Sequence, residues 1–168
     1  MQDEIVNRVA QSKLITFNLE DYYPEGKRMV LDIKDWLFEG FILKERDFRA
    51  SVENHDWSQY KDAYVALHCS TDAIIPGWAY MLITVKLSEF SKKAVQGTFE
   101  DLESFLYQSV IENLNVSEFQ DKSVIIKGCS KKPVPANAYL FLAEKLVPVA
   151  KSIMYGEACS SVPLYKRK

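Results

Sequence analysis

The chain has 168 residues, with 48% apolar and 26% charged side chains, enough to bury one sizeable core and too few for two large ones. A formal net charge of −2 and an isoelectric point near 5.8 exclude a general attraction to nucleic acid or to an anionic membrane, so either partner would need a local patch. No apolar run reaches the roughly 18 residues that a membrane span requires, and the opening stretch MQDEIVNRVAQSK is acidic and amphipathic, unlike an export signal. The expectation is therefore a cytoplasmic protein that meets no membrane and no nucleic acid, with its three cysteines as reduced thiols.

In chain order, the amphipathic N-terminus reads as a helix. LITFNLEDYY and KRMVLDI read as a hairpin or edge pair across a Pro-Glu-Gly turn. Glu39-Gly40-Phe41 interrupts a helical turn around Trp36 and Leu37, and LKERDFRASVENH has helical spacing. Two similar stretches follow, YVALHCSTDAIIPGWAYML from Tyr64 and VIIKGCSKKPVPANAYLFL from Val124. Pro76 and Pro135, Ala79 and Ala138, Tyr80 and Tyr139, Lys86 and Lys145, Leu87 and Leu146, Lys92 and Lys151, and Gly97 and Gly156 are each 59 apart. Cys69 and Cys129 are 60 apart, which reads as one residue lost in the intervening loop.

Each copy has a short apolar run with little alternation, as in a strand covered on both faces. A proline then stands where a first helical turn tolerates it, and a short run ending in glycine closes the unit. Strand, helix, strand over this length predicts a parallel βαβ unit. Between the copies, Thr98 with Asp101 three residues on opens a helix whose apolar face runs through Leu102, Phe105, Leu106, Ser109, Val110 and Leu114. The expected fold is α/β: a mostly parallel central sheet from two repeated βαβ units, with an N-terminal helix and strand pair. One domain spans 1–168, made of an N-terminal region at 1–60, repeats at 61–97 and 121–156, and a connecting helix at 98–119. The tail YKRK reads as a solvated, frayed end.

In an open parallel sheet the carboxyl ends of the strands form the ligand crevice. Cys69 and Cys129 fall at such ends, and Cys159 lies just past the last predicted strand, so parallel strands would gather all three on one edge. Three thiolates suit zinc or an iron–sulfur cluster, with His68 or Asp72 as a further zinc ligand. Against this, no Cys-x-x-Cys pair exists, and His68 beside Cys69 would point to the opposite face unless the strand had already ended. Each cysteine has a plainer reading as a small apolar filler, and a reactive or persulfide-carrying thiol is the third alternative. Lys127, Lys131 and Lys132 flank Cys129 and would favour its thiolate or an anion. His55 reads as a loop histidine near Asp56, and Asp32 with Asp35 as capping residues or a carboxylate pair. Phosphate loops, zinc-protease helices, serine elbows and RNA-binding strand patterns are all lacking.

The elements DWLFEGFILKERDFR, NHDWSQY, YVALHCSTDAIIPGWAYML, KGCSKKPVP and MYGEACSSVPLYKRK together resemble an uncharacterised bacterial family classed as a domain of unknown function, across nearly the whole chain. That resemblance implies no catalytic residue. It implies a gene often placed beside those for sulfur mobilisation and iron–sulfur cluster assembly, and so iron–sulfur assembly proteins as partners. Two functions follow as expectations. One is an accessory factor in sulfur or iron–sulfur metabolism that holds a metal, cluster or sulfur at its Cys-Ser loops. The other is a non-enzymatic interaction module with structural cysteines, whose loop aromatics Trp57, Tyr60, Tyr22 and Tyr23 dock a partner or a second copy.

Overall fold

A computed structural model describes residues 14–128 and 131–168, so the expected N-terminal helix and Cys129 lie outside the described residues. The strands are β1 (Leu14–Phe17), β2 (Lys27–Asp32), β3 (Ala63–His68), β4 (Lys93–Gln96), β5 (Ser123–Ile126), β6 (Ser152–Glu157) and β7 (Ser160–Lys166). The helices are α1 (Glu45–Asn54), α2 (Gly77–Leu87), α3 (Phe99–Glu112) and α4 (Ala136–Leu146). The protein is mixed α/β, but its strands form two mostly parallel sheets rather than one central sheet. The expected hairpin of β1 with β2 is not formed. β1 pairs in parallel with β5 and β2 with β3, because each finds its apolar partner far along the chain and not across the Pro24 turn.

Two compact units divide the chain: a middle unit, Glu25–Leu106, and a terminal unit, Met1–Pro24 with Tyr107–Lys168. The middle unit holds the sheet β2-β3-β4, all parallel. β3 is covered on both faces. Ala63, Val65 and Leu67 meet Phe48 and Val52 of α1 and Ala79, Ile83 and Leu87 of α2, while Ala66 meets Leu102 and Leu106 at the start of α3. That double cover is why the strand reads as a continuous apolar run.

The terminal unit holds the sheet β1-β5-β6-β7, in which β7 alone runs antiparallel. Its core joins Tyr107 and Ile111 of α3, Ala138, Leu142 and Leu146 of α4, and Phe17, Val124, Ile126 and Ile153 of the sheet. The tail is not frayed. Lys166 pairs with Ser152, the Arg167 N–H donates to Lys151 O, and the guanidinium donates to Pro148 O and Val149 O and meets Asp121 at 2.5 Å.

The same local devices occur in both units at a spacing of 59 residues. Asp62 and Asp121 both take φ of 57° just before a strand, while Gly97 takes φ of 140° just after β4 and Gly156 takes φ of 122° near the end of β6. A side chain at Gly97 would sit 2.6 Å from the Asp101 carboxylate, and one at Gly156 would sit 2.6 Å from Ser160 O, so only glycine serves. Pro76 and Pro135 each open an eleven-residue helix. The strands share the register: Val65 pairs with Ala94, and Val124 with Ile153.

α3 begins as its sequence signals. Thr98 Oγ1 accepts from Asp101 N, and Asp101 accepts from Thr98 N at 2.7 Å. It stops at Glu112 rather than reaching 119, since Asn113 folds its side-chain amide back onto Ser109 O and Ser117–Phe119 form a separate 3-10 turn. Its buried line is Leu102, Leu106, Tyr107 and Ile111, while Phe105 is exposed.

Candidate functional site

The crevice of the middle unit starts where two neighbouring strands end together. Asp32 of β2 stands opposite His68 of β3, and the Ile33 N–H closes the pair onto His68 O at 3.0 Å. β3 ends at His68, so the next residue has left the sheet. The Asp32 carboxylate accepts from Lys34 N, starting a 3-10 turn, and from Ser70 N, both at 3.1 Å. Burial pushes this carboxyl up, but the hydrogen bonds from Ser70 and Lys34, with His68 beside it, outweigh that and hold it below its ordinary value. Asp32 is thus a clamp on the loop that carries Cys69.

Cys69 is half-buried, with Sγ 3.3 Å from Thr71 Oγ1. The Thr71 hydroxyl spends its single proton on Gly40 O at 2.7 Å, so the thiol is the donor in the Cys69–Thr71 contact. Tyr80, near this edge, has its hydroxyl pushed up by burial and then by Cys69 and Asp32. It stays protonated, able to donate towards a negative charge in the crevice. The chain then runs through Pro76 into the first turn of α2, whose leading N–H groups lack helical partners.

The terminal unit repeats this plan with different residues. Asn18, just past β1, stands where Asp32 ends β2, and its side chain accepts from Glu20 N as Asp32 accepts from Lys34 N. The loop after β5 is held on both sides of Cys129. Tyr155 donates to Gly128 O at 3.2 Å, and a single Glu20 carboxylate oxygen accepts from Lys131 N and from Lys132 N, the latter at 2.8 Å. The Lys132 ammonium stands 5.1 Å over the Tyr23 ring.

These placements redraw the cysteine group. Strand pairing and helix start both keep the spacing of 59 across the loop, so Cys69 is equivalent to Gly128, and Ser70 is equivalent to Cys129. No residue is lost there; the two Cys-Ser pairs are one step out of register. Cys69 and His68 belong to the middle unit, whereas Cys159 is exposed in the turn from β6 to β7 of the terminal unit. The three cysteines therefore do not share the edge of one sheet. Gly128 and that turn do leave the same sheet edge, as β5 and β6 are parallel neighbours. Among the described residues, no three His, Cys, Asp or Glu side chains come together as a metal cluster. His68 and Cys69 alone do not fit zinc, which needs four ligands or three and a water.

The loop aromatics pack inward. Trp57 and Tyr60 are buried, Trp57 donates to Val52 O at 2.9 Å, and Tyr22 stacks on Phe17 at 4.8 Å. His55 stands among the rings of Trp36, Trp57 and Tyr60, with Nε2 3.0 Å from the Tyr60 hydroxyl; burial lowers its pKa, and Asp56 only partly offsets this. Tyr80 and Tyr139 are half-buried; Ala79 and Ala138 hold the inward positions. Sequence reasoning missed Thr71, Glu20 and Tyr155. The signal available was the polar residue at the end of each first strand, Asn18 or Asp32, whose loop-holding role needs the pairing to be visible. A cavity of about 300 Å³ in the terminal unit, lined by Gln108, Glu112, Phe141 and Lys145 among others, holds no cysteine.

The chain belongs to a family described as protein of unknown function (DUF2480), whose model matches residues 3–167. No curated protein and no solved structure is similar enough to match. No helix among the described residues is long and apolar enough to cross a membrane.

Proposed function

We propose that this chain is a cytoplasmic accessory factor of sulfur or iron–sulfur metabolism, working beside iron–sulfur assembly proteins, whose Cys-Ser loops hold a metal, a cluster or a transferred sulfur. The observation that carries the reading is Cys69: a half-exposed thiol at the carboxyl end of a parallel strand, fixed by Thr71, with Asp32 and Tyr80 beside it and a helix start ahead of it. A thiol used only as core filler needs neither a positioning hydroxyl nor a clamped loop. Within the middle unit the donors suit a single carried sulfur better than zinc or a cluster, with His68 the nearest nitrogen in sequence. In the terminal unit the thiols that would serve are Cys129, flanked by Lys127, Lys131 and Lys132, and Cys159.

The two loops are read as copies. A duplication of a unit made of a 3-10 turn, a strand, a helix and a strand accounts for the shared spacing of 59 in Asp62 and Asp121, Pro76 and Pro135, and Gly97 and Gly156. The whole chain is read as one domain because α3 runs unbroken from one unit into the other.

The test is metal and acid-labile sulfide analysis of the anaerobically purified protein, with mass spectrometry for a sulfur adduct on each cysteine, repeated for Cys69→Ser, Cys129→Ser and Cys159→Ser. Sulfur or metal that is lost with Cys69 or Cys129 is expected. Protein free of metal, sulfide and adduct, with thiols that alkylate as slowly as core cysteines before and after chelation, would overturn the reading.

A further inference from the structure

α2 is apolar on every side, the pattern of a helix covered all round, yet Met81 and Val85 face solvent. Ile74, in the loop leading to it, is 92% exposed. That loop is tied to a second apolar turn by the hydrogen bond from Thr71 to Gly40 O, and this turn, closed by the Phe38–Ile42 bridge, exposes Phe38, Phe41 and Ile42. The six side chains are between 44% and 92% exposed. At about 200 Å² for a fully exposed side chain of this kind, they present on the order of 700 Å². That exceeds the roughly 300–600 Å² of the largest patch on a typical monomer and approaches the roughly 800 Å² per partner of a stable interface.

The fold does not require this surface. At the place equivalent to Val85, α4 carries Glu144, and at the place equivalent to Ile74 the chain carries Pro133. The same helix position is thus filled with a polar outer residue in one unit and an apolar one in the other. The cations bordering the band are already engaged: Lys44 lies over the Phe38 ring at 3.1 Å, Arg49 meets Glu45 at 2.8 Å, and Lys86 meets Glu53 at 3.1 Å. A second copy brought against the band by a two-fold axis offers it an apolar surface of the same size.

We propose that this band, from the Phe38 turn through Ile74 to Val85, is the interface of a two-fold homodimer. The occupant is a second copy of the chain. Its area matches what such a contact needs, and the contact closes over the loops next to Cys69 in both copies.

Sedimentation velocity of the full chain over the micromolar range tests this. The chain should dimerise with rising concentration, and Val85→Glu, which places in α2 the residue that α4 already carries there, should weaken dimerisation at least tenfold while leaving circular dichroism and thermal unfolding of the monomer unchanged. Ile74→Glu, in a loop, should do the same. Leu140→Glu, the counterpart of Met81 in α4, should leave the dimer intact. A monomer at every concentration, a dimer indifferent to both Val85→Glu and Ile74→Glu, or one broken equally by Leu140→Glu would each overturn the proposal; the first would leave the band to a partner of another kind.

Discussion

The two units solve one side of their sheets in the same way and the other side differently. On the shared side, Ala79, Ile83 and Leu87 of α2 match Ala138, Leu142 and Leu146 of α4, all fully buried, and Phe48 of α1 matches Tyr107 of α3. On the other side, the middle unit buries an ion pair. The Arg28 guanidinium donates through Nε and Nη2 to the two carboxylate oxygens of Glu103 at 2.7 and 3.3 Å, and also to Gly26 O, beside the Tyr64 ring. At the place of Arg28, β1 of the terminal unit has Leu14, and that unit instead adds β7 to its sheet edge. The face covered by α2 and α4 thus holds the pattern, and the opposite face tolerates either a buried charge pair or none.

The largest expected effect breaks this asymmetry at the ion pair. Glu103→Ala leaves the Arg28 guanidinium buried without its anion and should cost about 3–5 kcal/mol in denaturant unfolding. The paired change Arg28→Met with Glu103→Leu should recover most of that loss, because it removes both charges. A single substitution costing less than about 1 kcal/mol would mean that the far face of the middle unit does not depend on the pair.

The shared face predicts equality. Ile83→Ala and Leu142→Ala each empty a fully buried position of equivalent helices and should each cost about 2–4 kcal/mol. Losses that differ by more than about 2 kcal/mol would show that the two cores relax differently and that the spacing of 59 does not carry over into energetics. A smaller effect separates Phe48 from Tyr107. The Tyr107 hydroxyl donates to Leu19 O at 3.3 Å in a buried setting, so Tyr107→Phe should cost about 1 kcal/mol by removing that hydrogen bond.

What the sequence made legible follows from period and punctuation. Pro76, Pro135, Gly97 and Gly156 mark element ends by their own backbone limits, and Thr98 with Asp101 marks the start of α3 by local hydrogen bonds. Pairing is not legible: nothing in LITF or KRMVLD says that one strand lies beside Ser123–Ile126 and the other beside Ala63–His68. The single expected sheet fails for that reason. The match of Cys69 with Cys129 fails because identity of two letters does not reveal the register that backbone pairing enforces. The frayed tail fails since YKRK carries its charge on a strand edge, where Arg167 finds three carbonyl and carboxylate partners that only the fold brings together.

The smallest expected effect lies closest to the candidate site. Asp32 and Asn18 hold equivalent places at the ends of β2 and β1, and each accepts a backbone N–H two residues on. Asp32 also accepts from Ser70 N, so the middle unit clamps its loop with a charge where the terminal unit uses a neutral amide and reaches its own loop through Glu20. Asp32→Asn gives the middle unit the residue the terminal unit has. The amide oxygen keeps the acceptor but loses the charge assistance, for an expected cost of about 0.5–1 kcal/mol at neutral pH. The sign with pH follows from the lowered pKa: a carboxyl held below its unfolded value stabilises the fold above that unfolded value, and the contribution is lost as pH falls through the folded one. Native protein should therefore lose this increment under acid while Asp32→Asn, with nothing to protonate, should not, so the gap between them should close as pH drops. Alkylation of Cys69 should quicken in the variant at neutral pH, because the loop after β3 is then held less firmly. A gap in stability that stays constant through the acid range, with Cys69 alkylation unchanged, would remove Asp32 as the clamp and leave the loop held by Thr71 alone.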